Sequence, residues 1–423
     1  MKVWEIRDPI YGFIEVNEWE KEIIDHWIFQ RLRRILQLGP TYLVYPGAMH
    51  TRFEHSLGVM HIATLMYDSI TRKCRDFLKS ELQYDEAGFL RDRVLVRLSA
   101  LLHDIGHPPF SHAGEELYLK DISHENYSAE IIKFFFGDII KNHPYNANYN
   151  ITAQHIANFL VGDRAVGRSL FWRDLIVGQI DADRADYLLR DSYHIGVAYG
   201  KYDYHRLIQT LTIASLPDTE EPIIAIEKGG LHVAEALIIA RYMMFTQVYF
   251  HHTRRAYDFH ILKVLRKLLR SKGYKNGKFP VPNKKRSLEN YLKLDDWKVQ
   301  GAIARGEVGR HGEIIKKRKH YRSIYETPES PRKEDIDFIN KVIEELKTRG
   351  IPIYVDDAQK SWYKFDKEII ISEKENGQVG EGKNLSEYSN VVKNIPPINM
   401  KRIYVPLRFK SKADKIIKKV KGG

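Results

Sequence analysis

The chain has 423 residues, 43% of them hydrophobic, which is enough apolar material for a sizeable core and roughly two to three domains and excludes disorder throughout. Lys and Arg number 67 against 55 Asp and Glu, a formal charge of +12 that favours polyanionic partners such as nucleotides or nucleic acid without identifying a site. The single cysteine, Cys74, excludes an internal disulfide and a cysteine-rich zinc cluster; the lack of a hydrophobic signal core or of ~20 consecutive apolar residues predicts a cytoplasmic protein without a membrane span.

In chain order, Ile23, Ile24, Trp27, Ile28, Leu32 and Ile35 form an apolar stripe that predicts a helix over 20–38, stopped by Gly39-Pro40, with Arg31, Arg33 and Arg34 on its other face. A second helix is expected to start near His55 and run through Leu65. A third, carrying Val94, Leu95, Leu98, Leu101 and Leu102, ends at Gly106 with Pro108 and Pro109. Helices are further predicted over 111–119 and 123–136, with Ser111 and Ser123 as N-caps, then over 151–160, 175–192 and 231–269. With little period-two alternation, this succession argues for a mainly α fold with an all-helical core over 1–270. From Ser271 the composition shifts to Lys, Gly, Pro and Asn, so 271–423 reads as a smaller, basic, mixed α+β region. Its helices are expected over 287–305 and 332–349, its strands over 351–355, 368–372 and 402–405, and a frayed basic tail over 410–423.

The chemistry concentrates at His103-Asp104, an imidazole beside a carboxylate where a hydrophobic helix gives way to a turn. Burying both is costly unless something pairs with them, and a divalent cation suits both ligand types. A lone histidine among 18 is more often a hydrogen-bonded structural residue. Several His and Asp at helix ends of one apolar bundle change that balance. His55, His103, Asp104 and one of Asp181 or Asp183 would make a mixed N/O site for Mn, Fe, Zn, Co or Mg, with neighbouring histidines handling protons. Without the histidines, Asp181, Asp183 and Asp186 would read as a solvated helix face paired with Arg184 and Arg190.

Three stretches in order, Arg52-Phe53-Glu54-His55, His103-Asp104-Ile105-Gly106-His107 and Ile180-Asp181-Ala182-Asp183-Arg184-Ala185-Asp186-Tyr187, resemble the H…HD…D motifs of HD-domain phosphohydrolases, specifically the deoxynucleotide triphosphohydrolase branch. The resemblance implies metal ligation by His55, His103, Asp104 and Asp183, and catalytic roles for His107, His112 and His124, with His112 as the proton donor to the leaving sugar oxygen. It implies substrate binding by Gln37 and Asp191 at the sugar 3′-hydroxyl, Arg52 against the base, Arg184 at the phosphates in place of a family lysine, and Tyr187 and Tyr257 in the nucleotide pocket. Asp25, Gln30 and Arg33 match residues that hold a nucleotide effector in regulated members, which implies a homo-oligomer, dimer or tetramer, bridged by nucleotides. Tyr249 stands where the regulated enzyme has a phosphate-binding arginine, and Arg7 replaces an effector-site asparagine; Arg241 or Arg254 would compensate for the first. The expected reaction is metal-dependent conversion of a dNTP to deoxynucleoside and triphosphate. The alternatives are an HD phosphohydrolase acting on another nucleotide or a nucleic acid end, and a non-catalytic nucleotide- or nucleic-acid-binding protein.

Overall fold

The computed structural model describes residues 2–216, 221–360 and 368–421. Helices dominate, as the apolar periodicities predict, and three small sheets join them. The first sheet is a hairpin of β1 (Val3–Asp8) and β2 (Gly12–Asn17) in antiparallel register Val3↔Asn17 to Asp8↔Gly12. Its turn closes because Asp8 Oδ1 accepts from the Ile10 and Tyr11 amides while Gly12 takes φ 80°. The helical expectation passed over this hairpin because only Ile14 and Val16 point fully inward, too few to register as alternation.

The Arg52–Lys73 and Glu86–Leu102 helices pack against each other through Leu57, Met60, Leu95, Leu98 and Leu102 at the centre of the main core. The helix expected over 20–38 is instead broken: Glu18–Asp25 stops at His26, which turns extended at ψ 136°, and a short helix and a 3-10 turn follow to Arg34. Arg31 is fully buried rather than solvent-facing, its guanidinium donating to the carbonyls of His107 and Leu294. The helix expected over 231–269 divides likewise into Leu231–Met244 and His252–Ser271 around a π turn at Phe245–Tyr249, which aims Phe245, Tyr249 and Phe250 at the cavity described below. Over 175–192 a turn at 178–181 separates Asp174–Val177 from Ala182–Ile195, and over 111–119 only His112–Glu115 is helical.

The remaining sheets tie the late chain to the early one. β3 (Leu211–Ser215) and β4 (Pro222–Glu227) are antiparallel, and β4 pairs in parallel with β7 (Ile370–Ser372), which pairs with β8 (Gly382–Asn384). The third sheet places β9 (Ile398–Val405) between β5 (Arg322–Glu326) and β6 (Tyr354–Lys360), and on it Ile339, Val342 and Leu346 of the Lys333–Thr348 helix form a second small core with Ala413 and Ile416. The tail expected to fray over 410–423 is a helix over Lys410–Lys421, held by those two residues; 422 and 423 lie outside the described residues. The helices Lys285–Leu292 and Asp296–Ala304 add Leu288, Tyr291, Leu292 and Val299 to the main core. Among the described residues no helix is long and apolar enough to cross a membrane.

A histidine cluster lies where the His252–Ser271 helix packs against the Arg310–Lys316 helix. His260 Nδ1 meets His311 Nδ1 at 2.9 Å, its Nε2 accepts from the Tyr321 amide, and His320 Nδ1 meets the Tyr257 hydroxyl at 3.0 Å. Burial, with the neighbouring histidines and Arg310 against it, pulls His260 down to about 3; burial with nearby cations pulls His311 and His320 to about 4. The folded state therefore binds fewer protons than the unfolded one below the ordinary histidine range, and stability falls as pH drops from ~6.5 toward these values, by about 1.4 kcal/mol per pH unit from His260 alone. The difference in calorimetric melting temperature between wild type and His260→Gln should shift against the wild type as pH falls from 7 to 4.5, and a constant difference would refute this account.

Candidate metal centre and substrate cavity

Four backbone features bring the sequence motifs together. Thr51 precedes the Arg52–Lys73 helix in a capping box with Glu54, so Arg52 and His55 emerge from its first turn on one face. Leu36 bridges Thr51, and Gln37 donates its amide to His50 O, which sets Gln37 beside Arg52. The Glu86–Leu102 helix ends at His103 and Asp104, where Gly106 is required: a Cβ there would strike the His124 carbonyl and the Ser128 amide. Asp181 caps the Ala182–Ile195 helix by accepting from the Arg184 amide at 2.7 Å, placing Asp183 in the first turn.

The result is a convergence of ligand atoms. His55 Nε2 lies 3.0 Å from Asp183 Oδ1 and 3.6 Å from Asp104 Oδ2; His103 Nε2 lies 3.3 Å from Asp104 Oδ1 and 4.0 Å from Asp183 Oδ1. Both Nε2 atoms are buried and make no hydrogen bond, because each ring spends its other nitrogen elsewhere. His103 Nδ1 donates to Ala100 O at 2.7 Å, and His55 Nδ1 donates to Asp186 Oδ2 at 2.8 Å. Two bare imidazole nitrogens facing two carboxylates fit a divalent cation, since ligand atoms at these separations can share one ion at ~2.1 Å. Burial opposes charge on His55, but Asp183 and Asp186 override it and raise the imidazole to about 10; burial likewise opposes Asp183, which His55 holds down to about 2.

Behind His55 stands a buried relay absent from the expectations. Asp186 takes Arg190 Nε and Nη2 at 2.8 Å each, and Arg190 Nη1 reaches Asp8 Oδ2 at 2.8 Å, all four residues being buried. Gly58 is needed here, since a Cβ would overlap the Asp186 carboxylate. The i, i+4 spacing of Asp186 and Arg190 was visible as an ion pair; that it is buried rather than solvated was not.

In front of Asp104, His107 Nε2 lies 3.2 Å from Asp104 Oδ1, and His107 and His124 stack at 3.8 Å between ring centroids. Glu115, which sequence reasoning missed although it sits three residues from His112, serves all three histidines: Oε2 meets His112 Nδ1 at 2.9 Å, Oε1 meets His124 Nδ1 at 2.5 Å, and His107 Nδ1 lies 3.6 Å away. Burial together with Arg52 and His124 keeps His107 neutral, whereas Glu115 overcomes burial to raise His124 to about 9. His112 is the exposed member, with 67% of its side chain accessible, so it is the one free to meet a substrate.

These groups open on a cavity of about 520 Å³ whose lining includes Gln37, Arg52, His112, Arg184, Tyr187 and Asp191, together with Arg241, Tyr249 and Arg254. Arg52 lines the cavity, where it pairs with Asp104 Oδ2 and donates its Nε to Ser111 Oγ at 2.8 Å. Arg184 pairs with Asp181 and the Gly178 carbonyl. Both Asp191 oxygens are occupied, by His50 Nε2 at 2.7 Å and the Tyr249 hydroxyl at 2.6 Å. Tyr249, at the position of the family arginine, therefore contributes a hydroxyl to Asp191. Tyr257 does not line the cavity: its ring is fully buried and its hydroxyl faces His320. Asp25, Gln30 and Arg33 lie away from it as well, Asp25 pairing with Lys21 and Gln30 Oε1 accepting from Arg33 Nε at 2.9 Å.

Comparison with known proteins places this geometry in context. The HD domain matches residues 52–191 and the HD associated region matches residues 202–341. The chain is 36% identical over 69% of its length to the uncharacterized protein YwfO of Bacillus subtilis, of which it spans 63%. It is 31% identical over 60% of its length to the deoxynucleoside triphosphate triphosphohydrolase SAMHD1 homolog of Dictyostelium discoideum, of which it spans 48%. Among solved structures, a phosphohydrolase from Bacteroides thetaiotaomicron superposes with a TM-score of 0.71 at 26% identity over 96% of this chain and 100% of that one.

Proposed function

The chain belongs to the HD-domain phosphohydrolase superfamily, carrying the HD domain followed by the HD-associated region, and from that premise we propose that it converts deoxynucleoside triphosphates to deoxynucleoside and inorganic triphosphate. The observation that carries the reading is the meeting, in one cavity, of His103, Asp104 and Asp183 with Gln37, Arg184, Tyr187 and Asp191, while the buried His55 brings its Nε2 to 3.0 Å from Asp183 and 3.6 Å from Asp104 from behind. A divalent cation on those ligands supplies Lewis-acid polarisation of a phosphoryl oxygen. The guanidinium of Arg184 faces the polyphosphate, joined by Arg241 and Arg254 where Tyr249 replaces an arginine. His112, oriented by Glu115, delivers a proton from its exposed ring nitrogen to the departing sugar oxygen, while neutral His107 stands ready to accept one. Tyr187 packs against the sugar and leaves no room for a 2′-hydroxyl, which selects deoxyribose sterically. The same reading assigns Asp25, Gln30 and Arg33 to a nucleotide effector between subunits of a cytoplasmic homo-oligomer; none of the three lines the cavity.

Purified protein incubated with Mg, Mn or Co and each dNTP and NTP, singly and in pairs, tests the proposal. Recovery of deoxynucleoside and intact triphosphate is expected; release of only monophosphate and pyrophosphate, or no turnover in any combination, would overturn it. Faster turnover in a particular pair would identify the effector, and sedimentation with and without that nucleotide would report the assembly.

A further inference from the structure

The loop that leads from His107 to His112 is held in a conformation its own residues disfavour. Phe110 and Ser111 are consecutive non-glycine residues at φ 61° and 53°, a region L side chains rarely adopt and keep only when surrounding contacts enforce it. On one side Ser111 Oγ donates to Leu36 O and accepts from Arg52 Nε, both at 2.8 Å. On the other stands Asp296, the first residue of the Asp296–Ala304 helix within the HD-associated region and fully buried. Its Oδ1 accepts from the Phe110 amide at 2.8 Å, and its Oδ2 accepts from the Leu36 amide at 3.0 Å. One carboxylate thus joins the strained turn before His112 to the segment before Gln37. Its neighbours grip the same loop from behind: the Tyr291 hydroxyl donates to Gly106 O at 2.5 Å, and Arg31 bridges the carbonyls of His107 and Leu294 at 3.0 and 2.9 Å. None of these late residues lines the cavity.

We propose that Asp296 is a positioning residue: by holding the Phe110 and Leu36 amides it sets how far Ser111, His112 and Gln37 reach into the cavity, and through it the HD-associated region controls the catalytic loop. The inference rests on the phosphohydrolase reading of that cavity. It follows from what alternatives at 296 would offer the two donors. Asparagine has the same shape but only one acceptor oxygen, and its amide nitrogen would face a backbone N–H with another N–H, so one of the two anchors is lost while packing is kept. Misplacing a reacting group by about 1 Å is enough to cost turnover about 10²-fold.

The test compares Asp296→Asn with Trp297→Ala, an exposed neighbour on the same helix. For Asp296→Asn the expected result is kcat lowered by about 10²-fold with KM within a few-fold of wild type, because the loss is in alignment rather than in binding surface. Metal content should be unchanged, and a crystal structure should show residues 106–112 displaced while His103 and Asp104 stay in place; Trp297→Ala should match wild type in all four. Wild-type kcat, loss of metal in proportion to activity, or a superposable loop would each overturn the proposal. If wild type turns over no nucleotide, the functional reading fails, and the displacement of the loop still decides this one. If Asp296→Asn does not fold, hydrogen exchange on wild type decides: the Leu36 and Phe110 amides should be among the slowest, and fast exchange at either overturns it.

Discussion

Asp183→Ala should lose its divalent metal and at least about 10³-fold of its turnover while remaining folded, the factor corresponding to several kcal/mol of Lewis-acid stabilisation. Asp183 brings its Oδ1 to 3.0 Å from His55 Nε2 and 4.0 Å from His103 Nε2, so its removal leaves two imidazoles and one carboxylate, Asp104, which is already shared with Arg52. The fold should tolerate the change. Asp183 is 38% accessible and sits in the first turn of a helix whose cap, Asp181, is untouched, whereas His55 keeps its hydrogen bond to Asp186. Elemental analysis after dialysis, turnover with added Mn, and circular dichroism check the three parts. Full metal content in a folded Asp183→Ala protein would remove Asp183 from the ligand set.

The second large effect falls on stability. Asp186→Ala should destabilise the protein by about 3–5 kcal/mol, the scale expected when one partner of a buried ion pair is deleted and the other charge stays behind. Arg190 is fully buried and would keep only Asp8 at 2.8 Å and Glu54 at 3.6 Å. In the intact protein Arg190 and then His55 overcome burial to hold the Asp186 carboxyl far below the ordinary range, so this group is ionised at every physiological pH. His55 would also lose the acceptor that fixes its Nδ1–H and frees Nε2, which should weaken metal binding by about 10–100-fold. Urea unfolding of the metal-free forms isolates the stability term, and a difference below about 1 kcal/mol would show that the Arg190 site relaxes to admit water.

Much of the candidate metal centre was readable from the sequence because its residues lie at helix ends marked by strong punctuation. Gly106 with Pro108 and Pro109 announces where the Glu86–Leu102 helix stops, and the HD pair stands at that stop. The choice between Asp181 and Asp183 was not readable from spacing. Both sit at one helix start, and the choice rested on family resemblance alone; in the structure Asp181 turns back to cap the Ala182–Ile195 helix while Asp183 faces His55.

Local pattern by itself determined the helices His124–Phe135 and Ala153–Val161, the apolar faces of the Arg52–Lys73 and Glu86–Leu102 helices, and the candidate ligands His55, His103 and Asp104, since each depends on periodicity or punctuation within a few residues. Only the tertiary structure decided that Arg31 is buried against the His107 carbonyl, that Tyr249 serves Asp191, that Glu115 unites three histidines, and that Asp296, 186 residues from Phe110, holds the loop before His112. The reason is physical. A buried polar group must find its partner wherever the fold supplies one: Asp191 lies 58 residues from Tyr249, His107 76 from Arg31 and Phe110 186 from Asp296, and even Glu115, three residues from His112, meets His124 and His107 only through the fold of the loop between them.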